Sequence, residues 1–208
     1  GPGLARAVVV VCLLLFPPGP GQAAEQPLEV EITGVSGEAL ANVRAYLTVT
    51  EVAAAGPAPA ARIRRAHRQA RREIRQALQA LGHYTPTLHL ALERGDGAWT
   101  ARYRIEPGPR VHIEKLSLAV TGPGADESAL RSVIAESPLA RGAPLHHGRY
   151  AATKRRLIEA AVEAGYLDAE YRTSRIQVRP GAGEADIRLE LATGPAYHYG
   201  EVRVVQDI

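Results

Sequence analysis

The chain is poor in the residues that usually carry redox chemistry and base stacking. Its 208 residues include one cysteine, no methionine, one tryptophan and one phenylalanine. The cysteine, Cys12, lies in an apolar N-terminal run, so no intramolecular disulfide can form and the domains must be stabilised by packing alone. Aromatic residues make up 5% of the chain, which leaves no array of rings to stack on the bases of a single-stranded nucleic acid.

Neither charge nor apolar run length is extreme. The 25 basic and 22 acidic residues give a net charge of +3, and this near balance argues against a nucleic-acid partner. The apolar run over residues 7–16 follows Arg6 and precedes small residues, and a membrane-spanning helix needs about 20 residues. The pattern predicts a secretory signal peptide over residues 1–24, cleaved after Ala23 or Ala24. An uncleaved N-terminal anchor is the alternative.

The sequence motifs of catalysis and metal binding are missing. There is no Gly-x-Ser-x-Gly segment, and no glycine-rich turn is followed by Lys-Ser or Lys-Thr, as a nucleophile elbow or a phosphate-binding loop requires. The seven histidines show none of the close ligand spacing of a zinc site. We therefore expect no catalytic residues, no cofactor and no metal.

The chain instead contains one pattern twice. In the first copy a helical segment ends at Gly82, two strand-like segments follow, and Gly108-Pro109 precedes the next strand. In the second copy the helical segment ends at Gly165, and Gly194-Pro195 takes the place of the break. The helix-ending glycines lie 83 residues apart. A period of this size predicts tandem small domains, which more often build a binding surface than a single active site.

The first copy, residues 25–108, is predicted to run strand, helix, helix, strand, strand. Ser36 is expected to cap the first helix with its hydroxyl. Because residues 52–61 contain Gly56, Pro57 and Pro59, we interpret them as a loop. The remaining predicted elements are strands at 28–32, 87–92 and 98–105 and a long amphipathic helix at 61–81.

The second copy, residues 109–194, repeats this order. Asp126 is expected to cap its short helix, and Val162 is expected to lie on the buried side of its long helix. Tyr84 and Tyr166, which follow the two helix-ending glycines, are expected to pack back on their own helix ends. The other predicted elements are strands at 111–120, 171–178 and 185–191, a loop at 138–148 and the long helix at 149–164. Residues 195–208 are predicted to begin a third copy.

These segments, in this order, resemble the POTRA domains of TamA-like proteins, the outer-membrane subunits of the bacterial translocation and assembly module. The residues that carry the resemblance are Gly34-Val35-Ser36-Gly37, Asn42-Val43-Arg44-Ala45, Ala80-Leu81-Gly82-His83-Tyr84, Gly165-Tyr166-Leu167-Asp168 and Gly194-Pro195. His83 stands where tyrosine is common. The resemblance implies an α+β fold of tandem β-α-α-β-β modules, each a three-stranded mixed sheet with two helices on one face.

The resemblance also implies a function without catalysis. Such a region lies on the periplasmic side of the outer membrane, guides autotransporter and outer-membrane polypeptides, and docks an inner-membrane-anchored TamB-like partner. We expect its first module to be the docking site for that partner. Attachment to the outer membrane would use a C-terminal barrel that is absent from this chain. The alternatives are a POTRA pair from a two-partner secretion barrel or a general barrel-assembly subunit, and a periplasmic enzyme with an unrecognised site.

Two surfaces are candidates for binding. The first long helix carries a run of arginines opposed only by Glu73, and it could dock an acidic partner or phosphate-bearing lipid head groups. A solvated basic face is the alternative. The other candidate is a sheet edge, whose unpaired amide and carbonyl groups can bind an extended polypeptide; the sequence leaves open which edge is exposed. The candidate docking residues are Arg64, Arg65, Arg68, Arg71, Arg72 and Arg75.

Overall fold

The computed structural model describes residues 25–197 as two three-stranded sheets, each with its helices on one face. The predicted signal peptide, residues 1–24, lies outside these residues. So do residues 198–208 of the predicted third copy. The elements are β1 (Glu25–Gln26), β2 (Leu28–Thr33), α1 (Gly37–Tyr46), α2 (Thr48–Ala54), β3 (Ala58–Pro59), α3 (Ala60–Gln79), β4 (Thr87–Arg94), β5 (Trp99–Glu106), β6 (His112–Thr121), α4 (Ser128–Ala135), α5 (His147–Glu163), β7 (Glu170–Arg179) and β8 (Glu184–Ala192).

Both sheets place their last strand in the centre. Module 1, the unit built on β1–β5, has the sheet order β2-β5-β4, and module 2, built on β6–β8, has the order β6-β8-β7. In each sheet the first strand runs parallel to the central one and the hairpin partner runs antiparallel to it. Alternate side chains of the central strands are buried under the helices, as period-2 patterning requires. The predicted α+β fold of mixed three-stranded sheets is confirmed.

The helices of module 1 differ from the prediction at one place. Residues 52–61, expected to be a loop, contain the end of α2, the short strand β3 that pairs with β1, and the start of α3. Val49 and Val52 of α2 are buried in the core of module 1. The glycine and prolines interrupt the chain only from residue 55 onwards, because burial of α2 against α3 outweighs its weak helix propensity.

Three smaller expectations about the helices are wrong. Ser36 is the N-cap residue of α1, but its hydroxyl makes no capping hydrogen bond. The N-cap of α4 is Glu127 and not Asp126, whose carboxylate lies 3.5 Å from Arg131. In α5 the side chains of Leu157 and Ala161 are buried, whereas Val162, which we expect on the buried side, is 43% exposed.

The two predicted helix-ending glycines are confirmed. Gly82 has φ +88° and Gly165 has φ +91°, a left-handed conformation that costs other residues about 1–2 kcal/mol. The amides of Gly82 and His83 donate to the carbonyls of Gln79 and Leu78, each at 3.0 Å. The same pair of bonds recurs at Gly165 and Tyr166. This is the double hydrogen bond that closes a helix at a glycine.

The end of α3 is also where module 2 attaches. The amide of Val111 donates to the carbonyl of Gly82 at 2.9 Å, and the amide of His147 donates to the carbonyl of Ala80 at 2.9 Å. Side chains reinforce this contact, since Tyr84 Oη lies 2.7 Å from His147 Nε2. Tyr84 therefore packs against the core of module 2. The expectation that it packs back on its own helix is wrong. Tyr166 does pack beside its own helix, against Leu157 and Ala161.

Gly82→Ala should destabilise the chain more than Gly97→Ala does. Both glycines have nearly the same positive φ, +88° and +92°, so both alanines incur the left-handed strain of about 1 kcal/mol. A Cβ at position 97 meets nothing within 4 Å, whereas one at position 82 would lie 2.5 Å from the carbonyl oxygen of Leu145 in module 2. We expect an additional cost of about 1–3 kcal/mol at position 82.

Urea unfolding, monitored by the fluorescence of Trp99, the only tryptophan, measures the stability of module 1 in both variants. Equal midpoints for the two alanine variants would show that the carbonyl of Leu145 moves aside without cost.

Candidate functional site

The arginine face is the exposed side of α3. Its six predicted docking residues are exposed, and at 100° per residue they occupy an arc of about 120°. The opposite side of the helix buries Ile63, Ala70 and Ile74 against the sheet and the two preceding helices. The helix therefore stabilises module 1 with one side and presents guanidinium groups with the other. We use "arginine face" for these residues: Arg64, Arg65, Arg68, Arg71, Arg72 and Arg75.

Glu73 does not oppose these charges, contrary to the expectation from sequence. It is 8% exposed, and its carboxylate accepts hydrogen bonds from the amide of Thr48 at 3.0 Å and the hydroxyl of Thr48 at 2.6 Å. A carboxylate at this position satisfies an amide at the N-terminus of α2 and stabilises the positive end of that helix. Glu73 is thus part of the packing between α2 and α3, and the arginine face keeps its full positive charge.

Within residues 25–197, no carboxylate lies within 4.0 Å of a guanidinium nitrogen of the arginine face. One member has an aromatic contact instead, since the guanidinium of Arg64 lies 5.3 Å from the ring centroid of Trp99. Arg94 lies over the same ring at 5.8 Å. Sequence reasoning missed the role of Trp99, because the contact joins residues that are distant in the chain.

The four outer strand edges are not equivalent. The beginning of β6 is covered by the loop that follows α4: Ile113 donates to Ala143 at 2.9 Å, Gly142 donates to Ile113 at 2.7 Å and Leu145 donates to Val111 at 2.8 Å. Within residues 25–197, no neighbouring backbone is hydrogen-bonded to the outer edges of β2, β4 or β7. The pairing of β7 shifts register between Tyr171 and Thr173, whereas β4 pairs without a shift over eight residues.

A groove accompanies each hairpin edge strand. In module 2 a groove of about 480 Å³ lies between α5 and β7, and its walls include Tyr150, Ile158 and Tyr171. Lys154 lies 4.8 Å from the ring of Tyr171, whose hydroxyl donates to the carbonyl of Lys154 at 2.8 Å. Burial, with a smaller contribution from Tyr150, raises the pKa of Tyr171 to about 12, so its hydroxyl stays protonated at neutral pH.

The groove of module 1 borders the arginine face. It measures about 510 Å³ and lies at β4 and β5. Its walls combine Leu88, Leu90 and Tyr103 with Arg71, and they also include the polar or charged residues Glu31, Thr33, His89, Arg102 and Arg104. An extended polypeptide beside β4 would therefore meet mainly charged and polar side chains, because Leu88 and Tyr103 are buried. The two candidate surfaces of module 1 are adjacent.

His67, His146 and His147 lie at structural contacts. His67 Nδ1 lies 3.1 Å from the hydroxyl of Tyr103, His146 Nε2 lies 3.0 Å from Glu38, and His147 contacts Tyr84. Among residues 25–197, no three His, Cys, Asp or Glu side chains form a group that could bind a metal ion. None of the helices in that part of the chain is long and apolar enough to cross a membrane.

Comparison with known proteins finds a family that matches the first module. Residues 29–107 match the family model described as POTRA domain TamA domain 1. Module 1 is therefore similar to a TamA-type POTRA domain over nearly its whole length. Module 2 repeats the sheet order and strand directions of module 1.

Solved structures of other POTRA regions are similar to the chain at low identity. They include POTRA3-5 of Haemophilus influenzae BamA at 11% identity and TM-score 0.47, covering 83% of this chain. BamA from Haemophilus ducreyi lacking POTRA domains 1-3 has 17% identity and TM-score 0.41 over 80% of the chain. POTRA1-3 of Omp85 from Anabaena has 13% identity and TM-score 0.36 over 80% of the chain. The chain spans 67%, 29% and 59% of their respective lengths.

The contacts of two histidines predict a pH dependence of stability. Burial lowers the pKa of His67, and burial together with the nearby His146 lowers the pKa of His147. The unfolded chain then binds more protons than the folded chain as the pH falls through 6.5, the ordinary histidine value, so the free energy of unfolding should decrease. Urea unfolding at about pH 7.5 and about pH 5.5 measures this loss.

His147→Gln should make the acid-induced loss of unfolding free energy smaller, because the variant has no imidazole to protonate beside Tyr84. The matched control is His89→Gln, which replaces an exposed ring on β4 and should leave the loss unchanged. An equal loss in all three proteins would contradict the assignment to His147.

Proposed function

We propose that the chain is the periplasmic POTRA region of a TamA-like outer-membrane protein assembly factor, which guides autotransporter and other outer-membrane polypeptides. The observation that carries this proposal is the match of residues 29–107 to a TamA-type POTRA domain, followed directly by a second module with the same sheet order. The apolar segment near the N-terminus supports an export route to the periplasm.

Clients would be held mainly through their backbones. A polypeptide that adds a strand to β4 or β7 gains main-chain hydrogen bonds whatever its sequence, which suits a protein with many clients. The grooves beside these strands would accept alternate side chains of the added strand, since successive side chains point to opposite faces. The covered start of β6 makes that edge a poorer site.

Hydrogen–deuterium exchange tests strand addition. A urea-denatured outer-membrane β-barrel protein, diluted into the chain, should slow amide exchange in Thr87–Arg94 or Glu170–Arg179, because edge amides become hydrogen-bonded. The central strands Trp99–Glu106 and Glu184–Ala192 are the internal control, since their amides are already paired on both sides. Protection confined to α3, or no protection at all, would contradict client binding at these edges.

Module 1 is the proposed docking module for an inner-membrane-anchored TamB-like partner. Two of its surfaces differ from those of module 2. One is the edge strand β4, which pairs without a register shift, and the other is the arginine face. We propose the arginine face as the docking surface for a negatively charged partner, and the support for this is its exposure and the absence of carboxylates within 4.0 Å among the described residues.

A pull-down from solubilised envelopes tests partner docking. The chain should recover an inner-membrane-anchored protein, and Arg68→Gln/Arg72→Gln/Arg75→Gln should reduce recovery if the arginine face is the contact. The control variant replaces Arg155, Arg156 and Arg175 of module 2 with glutamine. Recovery of no envelope protein by a folded chain would count against the partner assignment.

No catalytic role is part of the proposal. The TamA-type match of module 1 favours this reading over a POTRA pair from a two-partner secretion barrel or a general barrel-assembly subunit. A screen of the purified chain for hydrolase turnover addresses the remaining alternative, a periplasmic enzyme.

A further inference from the structure

The arginine face has no counterpart in the second module. The helix α3 carries seven arginines and one acidic residue, the buried Glu73, whereas α5 carries four basic residues together with Glu159 and Glu163. On α5 the guanidinium of Arg155 lies 3.7 Å from Glu159, and that of Arg156 lies 3.0 Å from Glu136. Because both helices support the same sheet topology, the fold does not require an uncompensated row of arginines.

The composition of this face differs from that of a typical protein interface. Stable protein interfaces usually have an apolar or aromatic centre that carries most of the binding energy. Within residues 25–197 the large apolar side chains that are exposed are Tyr46, Val162, Leu167 and Tyr197, and none of them belongs to α3. The residues between the arginines on the exposed side are alanine and glutamine.

The same composition suits a surface of phosphate groups. A guanidinium presents paired N–H donors that match phosphate oxygens, and it is more weakly hydrated than an ammonium group. The arginine face extends over about 16 Å of helix from residue 64 to residue 75, so several of its side chains can reach different head groups at once. Each basic residue adds to the attraction when it lies close to an anionic membrane surface.

We infer that the arginine face of module 1 binds the phosphate head groups of an anionic phospholipid membrane, so that α3 lies along the bilayer surface. The inference rests on the proposed function for the presence of the chain in the cell envelope, where it meets such membranes. It gives module 1 a lipid contact in addition to its proposed protein contacts.

Three of the six arginines are suitable for a test, because the other three have further contacts. Arg64 contacts Trp99, Arg65 lines a shallow cavity that also contains Glu51, and Arg71 lines the groove beside β4. The remaining three are Arg68, Arg72 and Arg75, so their replacement by glutamine removes charge with the least effect on packing. The control variant, Arg155→Gln/Arg156→Gln/Arg175→Gln, removes the same charge from module 2.

The experiment is co-sedimentation of the full chain with vesicles of phosphatidylcholine that contain about a quarter phosphatidylglycerol, compared with phosphatidylcholine alone. The neutral vesicles report any contribution from the apolar residues 7–16. We expect the chain to partition more strongly to the anionic vesicles than to the neutral ones, and added salt should weaken this binding. The α3 variant should bind the anionic vesicles at least about tenfold more weakly. The module 2 control should largely retain the binding. Because Arg64 stacks on Trp99, the fluorescence of this single tryptophan should also change on binding and confirms that each variant is folded.

Equal partitioning to both kinds of vesicle, or equal loss in the two variants, would overturn the inference. So would the absence of vesicle binding combined with a pull-down in which the α3 variant loses an envelope protein, since the arginine face would then be a protein contact. In that case the proposed function stands. Vesicle binding without recovery of any envelope partner supports the inference and counts against the proposed partner.

Discussion

The structure depends on one constraint at the end of α3, where a helix must stop and a second module must begin at the same residue. Gly82 takes a left-handed conformation to end the helix, and its carbonyl, which the helix no longer uses, accepts the amide of Val111. A similar arrangement occurs at the end of α5, where Gly165 is left-handed and its carbonyl accepts the amide of Tyr197 at 2.8 Å. Glycine is needed at both positions for conformation and for space, because a Cβ would meet a backbone oxygen of the following segment.

This constraint has consequences for the binding surfaces. Since the junction uses backbone groups at the C-terminal end of the long helix, it leaves the exposed side of α3 and the hairpin edge β4 uncovered. Side chains then fix the junction: Tyr84 contacts His147 and Glu38 contacts His146. These contacts give His146 and His147 a structural role at the junction.

Much of this fold could be predicted from sequence because the deciding signals are local. The two helix-ending glycines, the hairpin turn at residues 95–97 and the alternation of Trp99–Glu106 each depend on a few neighbouring residues. The helix α2 could not be predicted in the same way, since Thr48–Ala54 has weak helix propensity and its first turn is stabilised by a carboxylate 25 residues further along the chain. Tyr84 was wrongly assigned to its own helix for the same reason, since its partner lies 63 residues away.

The candidate surfaces show the same division between local and distant information. Helical spacing was enough to place six arginines on one side of α3, but the inward position of Glu73 depends on Thr48, and the covered edge of β6 depends on a loop that begins about 25 residues later. A net charge of +3 hides this distribution, because carboxylates compensate arginines on α5 and on the outer face of the first sheet but not on α3. The two copies of one fold therefore differ in how charge is distributed over their long helices, although their sheet topology is the same.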